Sequence, residues 1–116
     1  RQLFAASKLD PVITYPSAPP DHFQHVYNQF TIRSLFRDQL KDSLRQTGIP
    51  SEVYYPLCLH LQPAFAHLGY ALGAFPMAET ASQQALSLPV FPELSDEQQD
   101  LVVKAIAAFH GASSAA

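Results

Sequence analysis

Four side chains in this chain have the chemistry and the placing to meet a ligand: Tyr55, His60, Gln62 and Asn28. Tyr55 and His60 leave the end of an alternating segment and enter a loop, where a rigid scaffold commonly presents functional groups. Tyrosine offers an apolar ring face and one hydroxyl, and imidazole can donate to a hydroxyl or a phosphate oxygen. The plainer reading makes Tyr55 a core aromatic and His60 a hydrogen bonder that fixes its loop. Asn28 falls on the apolar side of a predicted strand, where an unsatisfied carboxamide costs about 1–3 kcal/mol. It therefore either reaches a ligand or satisfies a backbone group nearby. Gln62, in the HLQ triplet, could touch a ligand or cap a short helix.

Other groupings carry less. His22 with His25, and Cys58 with His60, match no zinc spacing and lack a second pair to complete four ligands, so no metal is expected. Arg37, Lys41 and Arg45 beside Asp38 and Asp42 read as a solvated helix face. The single cysteine excludes an internal disulfide. A formal net charge of -3 gives no electrostatic case for nucleic acid or an anionic membrane. No apolar run approaches the roughly 20 residues of a bilayer span, and cytoplasm is the default expectation.

The elements that must position these residues follow from periodicity. The 116 residues, 47% hydrophobic and 15% charged, suffice for one core. Residues 1–10 are read as the tail of a joining helix and 12–16 as a short strand. Residues 25–33 alternate, with Val26, Asn28, Phe30 and Ile32 on one face. Ser34 is the expected N-cap of a helix reaching Thr47, striped by Phe36, Leu40 and Leu44 and closed by Gly48. Val53 and Tyr55 alternate with Glu52 and Tyr54 in a further short strand that stops at Pro56. One helical turn is expected near residues 63–67. Pro76 opens a helix with Glu79 in its first turn and Ala78, Ala81, Ala85 and Leu88 as a small-residue face. Ser95 and Gln98 form a capping-box pair ahead of a last helix faced by Leu101, Val102, Ala105, Ile106 and Phe109. The ten prolines fall at element edges or in connections, so the loops are stiff. The fold class is α+β: a short mixed or antiparallel sheet with about three helices on one side.

Seven short words then stand in a fixed order: HVYNQFTIR (25–33), RDQL (37–40), GI (48–49), YYPLCLHLQPAF (54–65), LG (68–69), FPMAE (75–79) and LSLPVFPELSDEQ (86–98). Together they resemble the C-terminal part of the DegT/DnrJ family of sugar aminotransferases, over residues 22–110. The resemblance implies a fragment: the small C-terminal domain of a pyridoxal-phosphate enzyme of fold type I. In such enzymes a large domain, absent here, carries the Schiff-base lysine and most of the cofactor's contacts. The chain opens on Arg1 instead of Met, in line with that expectation. The implied division is an inter-domain connection and short strand over 1–21, the small domain over 22–110, and a flexible tail over 111–116.

The resemblance also implies a function. The parent moves an amino group from an amino acid, with glutamate the expected donor, to a keto-sugar nucleotide, and works as a homodimer. Tyr55 and His60 then lie near the active-site mouth as substrate contacts, with Asn28 and Gln62 as further candidates. YNQFTIR with YYP looks most like members acting on the sugar's C3 carbonyl. Tyr54 stands where relatives often have His, which puts proton transfer there in doubt. No catalytic residue is expected in this chain. Lys41 and Lys104 fall on exposed helix faces by pattern, and Lys8 lacks the flanks of the family's lysine segment.

Two other readings stay open. One is a non-catalytic relative that binds a sugar nucleotide or serves in assembly. The other is an unrelated α+β regulator of ferredoxin-like type, which would need a second strand-helix-strand unit after Pro56. On the fragment reading, an apolar face around Phe65, Tyr70, Phe75 and Phe91 lies exposed and favours self-association.

Overall fold

Ile32 and Leu86 face each other across two antiparallel strands, both fully buried, and the rest of the fold is arranged around them. The computed structural model describes residues 1–7, 9 and 12–113. Lys8, Asp10 and Pro11, and the tail residues 114–116, lie outside them. In chain order the elements are α1 (Gln2–Ala6), β1 (Ile13–Thr14), β2 (Phe30–Ser34), α2 (Arg37–Gln46), two 3-10 turns (Leu59–Leu61 and Pro63–Leu68), α3 (Pro76–Gln84), β3 (Ala85–Leu88) and α4 (Asp96–Ser113). The three strands form one antiparallel sheet in the order β1-β2-β3, with Ile13 opposite Ser34 and Ile32 opposite Leu86. The α+β expectation of a short sheet with helices packed on it holds.

The sheet's two faces differ as the pleat requires. Ile32, Leu86 and Leu88 join Phe4, Leu40, Leu44, Val102, Val103 and Ile106 in one core. The opposite face is polar, with Thr31 Oγ1 2.8 Å from Ser87 Oγ and Arg33 donating to Gln84 Oε1 through Nε (3.2 Å) and Nη2 (2.9 Å). Each fully buried Ile or Leu contributes about 1.5–3 kcal/mol by transfer alone. The apolar face thus accounts for most of what holds the domain together.

Helix ends follow local chemistry. Leu40 and Leu44 bury the stripe of α2, and its end is a left-handed stop. Gly48 sits at φ +77°, its N–H bonds Arg45 O, and the Ile49 N–H reaches Leu44 O at 2.9 Å while the Ile49 side chain enters the core. The expected capping box starts α4: the Ser95 N–H donates to Gln98 Oε1, and the Gln98 N–H to Ser95 Oγ. α4 packs against α1 and α2.

Several expectations need correction. The strand read over 25–33 begins only at Phe30. Tyr27 takes φ +49°, a turn the ladder cannot follow, and its N–H bonds His25 Nδ1 at 2.8 Å instead of a neighbouring strand. Val26 is 82% exposed and Asn28 is exposed too, so neither lies on a buried apolar face. Ser34 is the last residue of β2, not a helix cap; α2 starts three residues later, and Ser34 Oγ accepts the Phe36 N–H. Phe36 stays half exposed. Residues 52–55 make one bridge, Glu52 to Ser87, in place of a strand. The helix after Pro76 stops at Gln84, and Ala85 and Leu88 belong to β3. On α4, Leu101 faces out and Val103 takes its place in the core.

Candidate functional site

The residues around the loop 54–75 hang from one side of α3. Pro76 at the first helical position starts that helix without an unsatisfied N–H, and Gly73 at φ +93° turns the chain into it. Glu79 and Ser82, three apart, project from the same face. The Glu79 carboxylate is buried and accepts four hydrogen bonds' worth of contact: from the Gly73 N–H on Oε1 (3.0 Å) and Oε2 (2.9 Å), from the Phe75 N–H on Oε1 (3.2 Å), and from His60 Nε2 on Oε1 (2.9 Å). The His60 and Glu79 side chains are only 8% and 10% exposed. One turn later the Ser82 hydroxyl donates to Tyr55 O at 3.0 Å.

Burial alone would raise the Glu79 carboxyl. The Gly73 and Phe75 N–H groups and His60 outweigh that and hold it below its ordinary value. An ionised carboxylate can only accept, so the proton between the pair sits on His60 Nε2. Phe75 packs edge-on against the imidazole at 4.9 Å and against Tyr70 at 5.0 Å.

α3 is in turn fixed to the sheet. Arg37, the first residue of α2, is buried and donates from Nη1 to Ser82 O (3.0 Å) and Ala85 O (3.2 Å), where α3 passes into β3. Its Nε pairs with Asp38. Arg33 holds Gln84 at the same junction. A rigid core, two arginines, α3 and the loop are thus joined in sequence.

The four predicted residues do not converge on one point. Tyr55, 71% exposed, and Gln62 share a shallow cavity of about 300 Å³ with Leu57, Cys58 and Ser82. Gln62 donates to Leu57 O at 3.4 Å. Asn28 borders another hollow, about 490 Å³, with Glu52, Ser87 and Pro89, and Tyr54 stands between the two. His60 lines a third, apolar hollow of about 450 Å³ with Phe65, Tyr70 and Phe75. Tyr54 and Tyr55 meet edge-to-face at 5.8 Å. Sequence reasoning missed the organising part of Glu79 and Ser82. The available signal was a Glu three residues after a helix-opening proline, with a glycine turn just before it.

Residues 1–107 match the DegT/DnrJ/EryC1/StrS aminotransferase family. The chain belongs to that family. Among its relatives are a pleiotropic regulatory protein of Geobacillus stearothermophilus, 57% identical over 86 residues, covering 74% of this chain and 23% of that protein. Another is a UDP-N-acetyl-3-dehydro-alpha-D-glucosamine 3-aminotransferase of Acidithiobacillus ferrooxidans, 46% identical over 83 residues, covering 72% of this chain and 22% of that enzyme. The crystal structure of S. venezuelae DesV in complex with a ketimine intermediate aligns with a TM-score of 0.81 and 35% identity, over 93% of this chain and 30% of that one. The chain thus spans about a quarter of the length of the curated relatives it matches.

The pyridoxal phosphate that the family implies does not fit the described residues of this chain. Lys41 is paired with Glu52 at 2.7 Å and Lys104 with Asp100 at 2.6 Å, both on helix surfaces, so neither is poised to form an imine. Lys8 lies outside the described residues. Among the described residues no group of three or more His, Cys, Asp and Glu is placed to hold a metal ion. No described helix is long and apolar enough to cross a membrane.

Proposed function

We propose that this chain is the small C-terminal domain, over residues 22–110, of a pyridoxal-phosphate-dependent sugar-nucleotide aminotransferase. The parent takes an amino group from an amino acid, glutamate as the expected donor, and delivers it to the C3 carbonyl of a keto-sugar nucleotide in the cytoplasm. The observation that carries this reading is the alignment of 93% of the chain with DesV at 35% identity. The 46% relative, named for amination at the sugar's 3-position, supports the same carbon.

Surface area supports a larger assembly. The chain exposes 8133 Å², against about 6,300 Å² expected for a folded monomer of its mass. Its radius of gyration is 16.0 Å, where about 13 Å is expected for its length. The face bearing Phe65, Tyr70 and Phe75 would meet the large domain, and the parent would act as a homodimer. In that setting Tyr55 and Gln62 offer an aromatic face and a carboxamide to the sugar, with His60 and Asn28 at the margins.

The relative with 57% identity is named a regulatory protein, which favours one second reading: a sugar-nucleotide-binding or assembly module without transamination. Extending the reading frame upstream of Arg1 and recording the visible spectrum of the longer protein separates the two. A large domain with its lysine and the absorption band of a pyridoxal imine supports the enzyme. A longer protein with neither overturns it in favour of the binding module.

A further inference from the structure

The geometry points to Glu79 as the positioning residue of the acceptor-substrate loop, a role that rests on the transaminase reading. Its one carboxylate ties both arms of the loop 57–75 to α3: His60 from the early arm, Gly73 and Phe75 from the late arm. Between them lie the two 3-10 turns with Gln62, and Ser82 on the same helix face grips the backbone at Tyr55. Those turns bury no residue. Apart from the Phe75 ring packed on His60 and Tyr70, the loop's form depends on these polar ties.

The ties are specific to a carboxylate at this distance from the helix start. Oε1 accepts from Gly73, Phe75 and His60 together, and Oε2 shares the Gly73 N–H, so both positions face a donor. A carboxamide has a single accepting oxygen and would turn an N–H donor toward one of three donors already in place. Glu79 acts through the residues it holds, His60, Gly73 and Phe75, and so through the stretch between them that carries Gln62. On the transaminase reading the loop would meet the keto-sugar and not the amino donor, so the two substrates should respond differently to its loosening.

The two half-reactions therefore test the assignment. In the full-length parent, Glu79→Gln is expected to raise KM for the keto-sugar nucleotide about tenfold or more, and to leave the glutamate-driven conversion of the pyridoxal to the pyridoxamine form within about twofold. Ser82→Ala, which removes one hydrogen bond at an exposed site, is expected to give a smaller shift of KM in the same direction. In the 116-residue chain, Glu79→Gln is expected to speed hydrogen exchange of the Gly73 and Phe75 amides while amides of β2 and β3 keep wild-type protection.

Equal loss in both half-reactions, exchange that quickens throughout the sheet, or unchanged KM for the sugar nucleotide would each overturn the assignment. A wild-type parent that binds no pyridoxal phosphate would instead refute the transaminase reading. The exchange experiment would still decide whether Glu79 organises the loop.

Discussion

Replacing Arg37 by Met should loosen the joint between α3 and the sheet while sparing the core. Met keeps the apolar stem, and what is lost is the guanidinium with its bonds to Ser82 O and Ala85 O. A hydrogen bond to a charged group contributes about 1.5 kcal/mol at the low end, so losing both should cost the variant about 3 kcal/mol. The Arg37–Asp38 pair adds little, because Asp38 is 79% exposed and such pairs contribute well under about 1 kcal/mol. An unfolding entropy of about 2.1 cal/mol/K per residue makes this loss a fall of about 12 °C in Tm for a chain of this length. Circular dichroism melts of Arg37→Met and Asp38→Asn beside the wild type are the assay. Asp38→Asn should melt within about 2 °C of wild type. An Arg37→Met variant that melts with the wild type, or an Asp38→Asn variant that falls as far as Arg37→Met, would refute the carbonyl clamp.

Other outcomes test the rest of the structure. Val103→Ala should cost about 2 kcal/mol and Leu101→Ala under about 0.5 kcal/mol in denaturant titrations, although alternation of the helical stripe favoured Leu101; the reverse order would mean that α4 is rotated. Acid should destabilise the fold in two stages, read from Tm against pH. Burial lowers the pKa of His110 from its ordinary 6.5, so the unfolded chain binds that proton first and the fold loses stability as pH falls below about 6.5. Glu79 is held below 4.5; its stabilisation is complete above that value and is lost at lower pH, and Glu79→Gln should make this second stage shallower, with Glu52 and Glu97 still contributing to it. Finally, sedimentation of the isolated chain should show association that grows with concentration and weakens in a Phe65→Glu, Tyr70→Glu variant, both sites being exposed on the apolar face beside Phe75. A single monomeric species at every concentration would refute an interface on this face.

Local signals sufficed wherever one short segment sets its own geometry. The proline that opens α3, the glycine that closes α2 and the Ser95–Gln98 box each act within four residues, and each stands where sequence reading expects it. The family could also be read from the order of the words, since 1–107 bears the same match. Segments that need a partner were not legible in the same way. Residues 85–88 suit a helix by the spacing of Ala78, Ala81 and Ala85 and a strand by the alternation of Leu86, Ser87 and Leu88. Only pairing with β2, which places Leu86 against Ile32 and Ser87 against Thr31, selects the strand. Residues 25–29 alternate equally well but pair with no strand among the described residues, and Tyr27 turns to bond His25 instead.

The candidate site divides along the same line. Tyr55, His60, Gln62 and Asn28 were visible because their types are costly to bury or suited to ligands, and that information resides in each residue alone. Their distribution over three neighbouring hollows, and the single carboxylate that joins His60 to Gly73 and Phe75, came from tertiary structure. Glu79 is 19 residues from His60 in sequence. No periodicity records a contact across that distance; it exists because Arg33 and Arg37 seat α3 against a core built from Ile32, Leu40 and Leu86, and the loop then closes on the helix face left open.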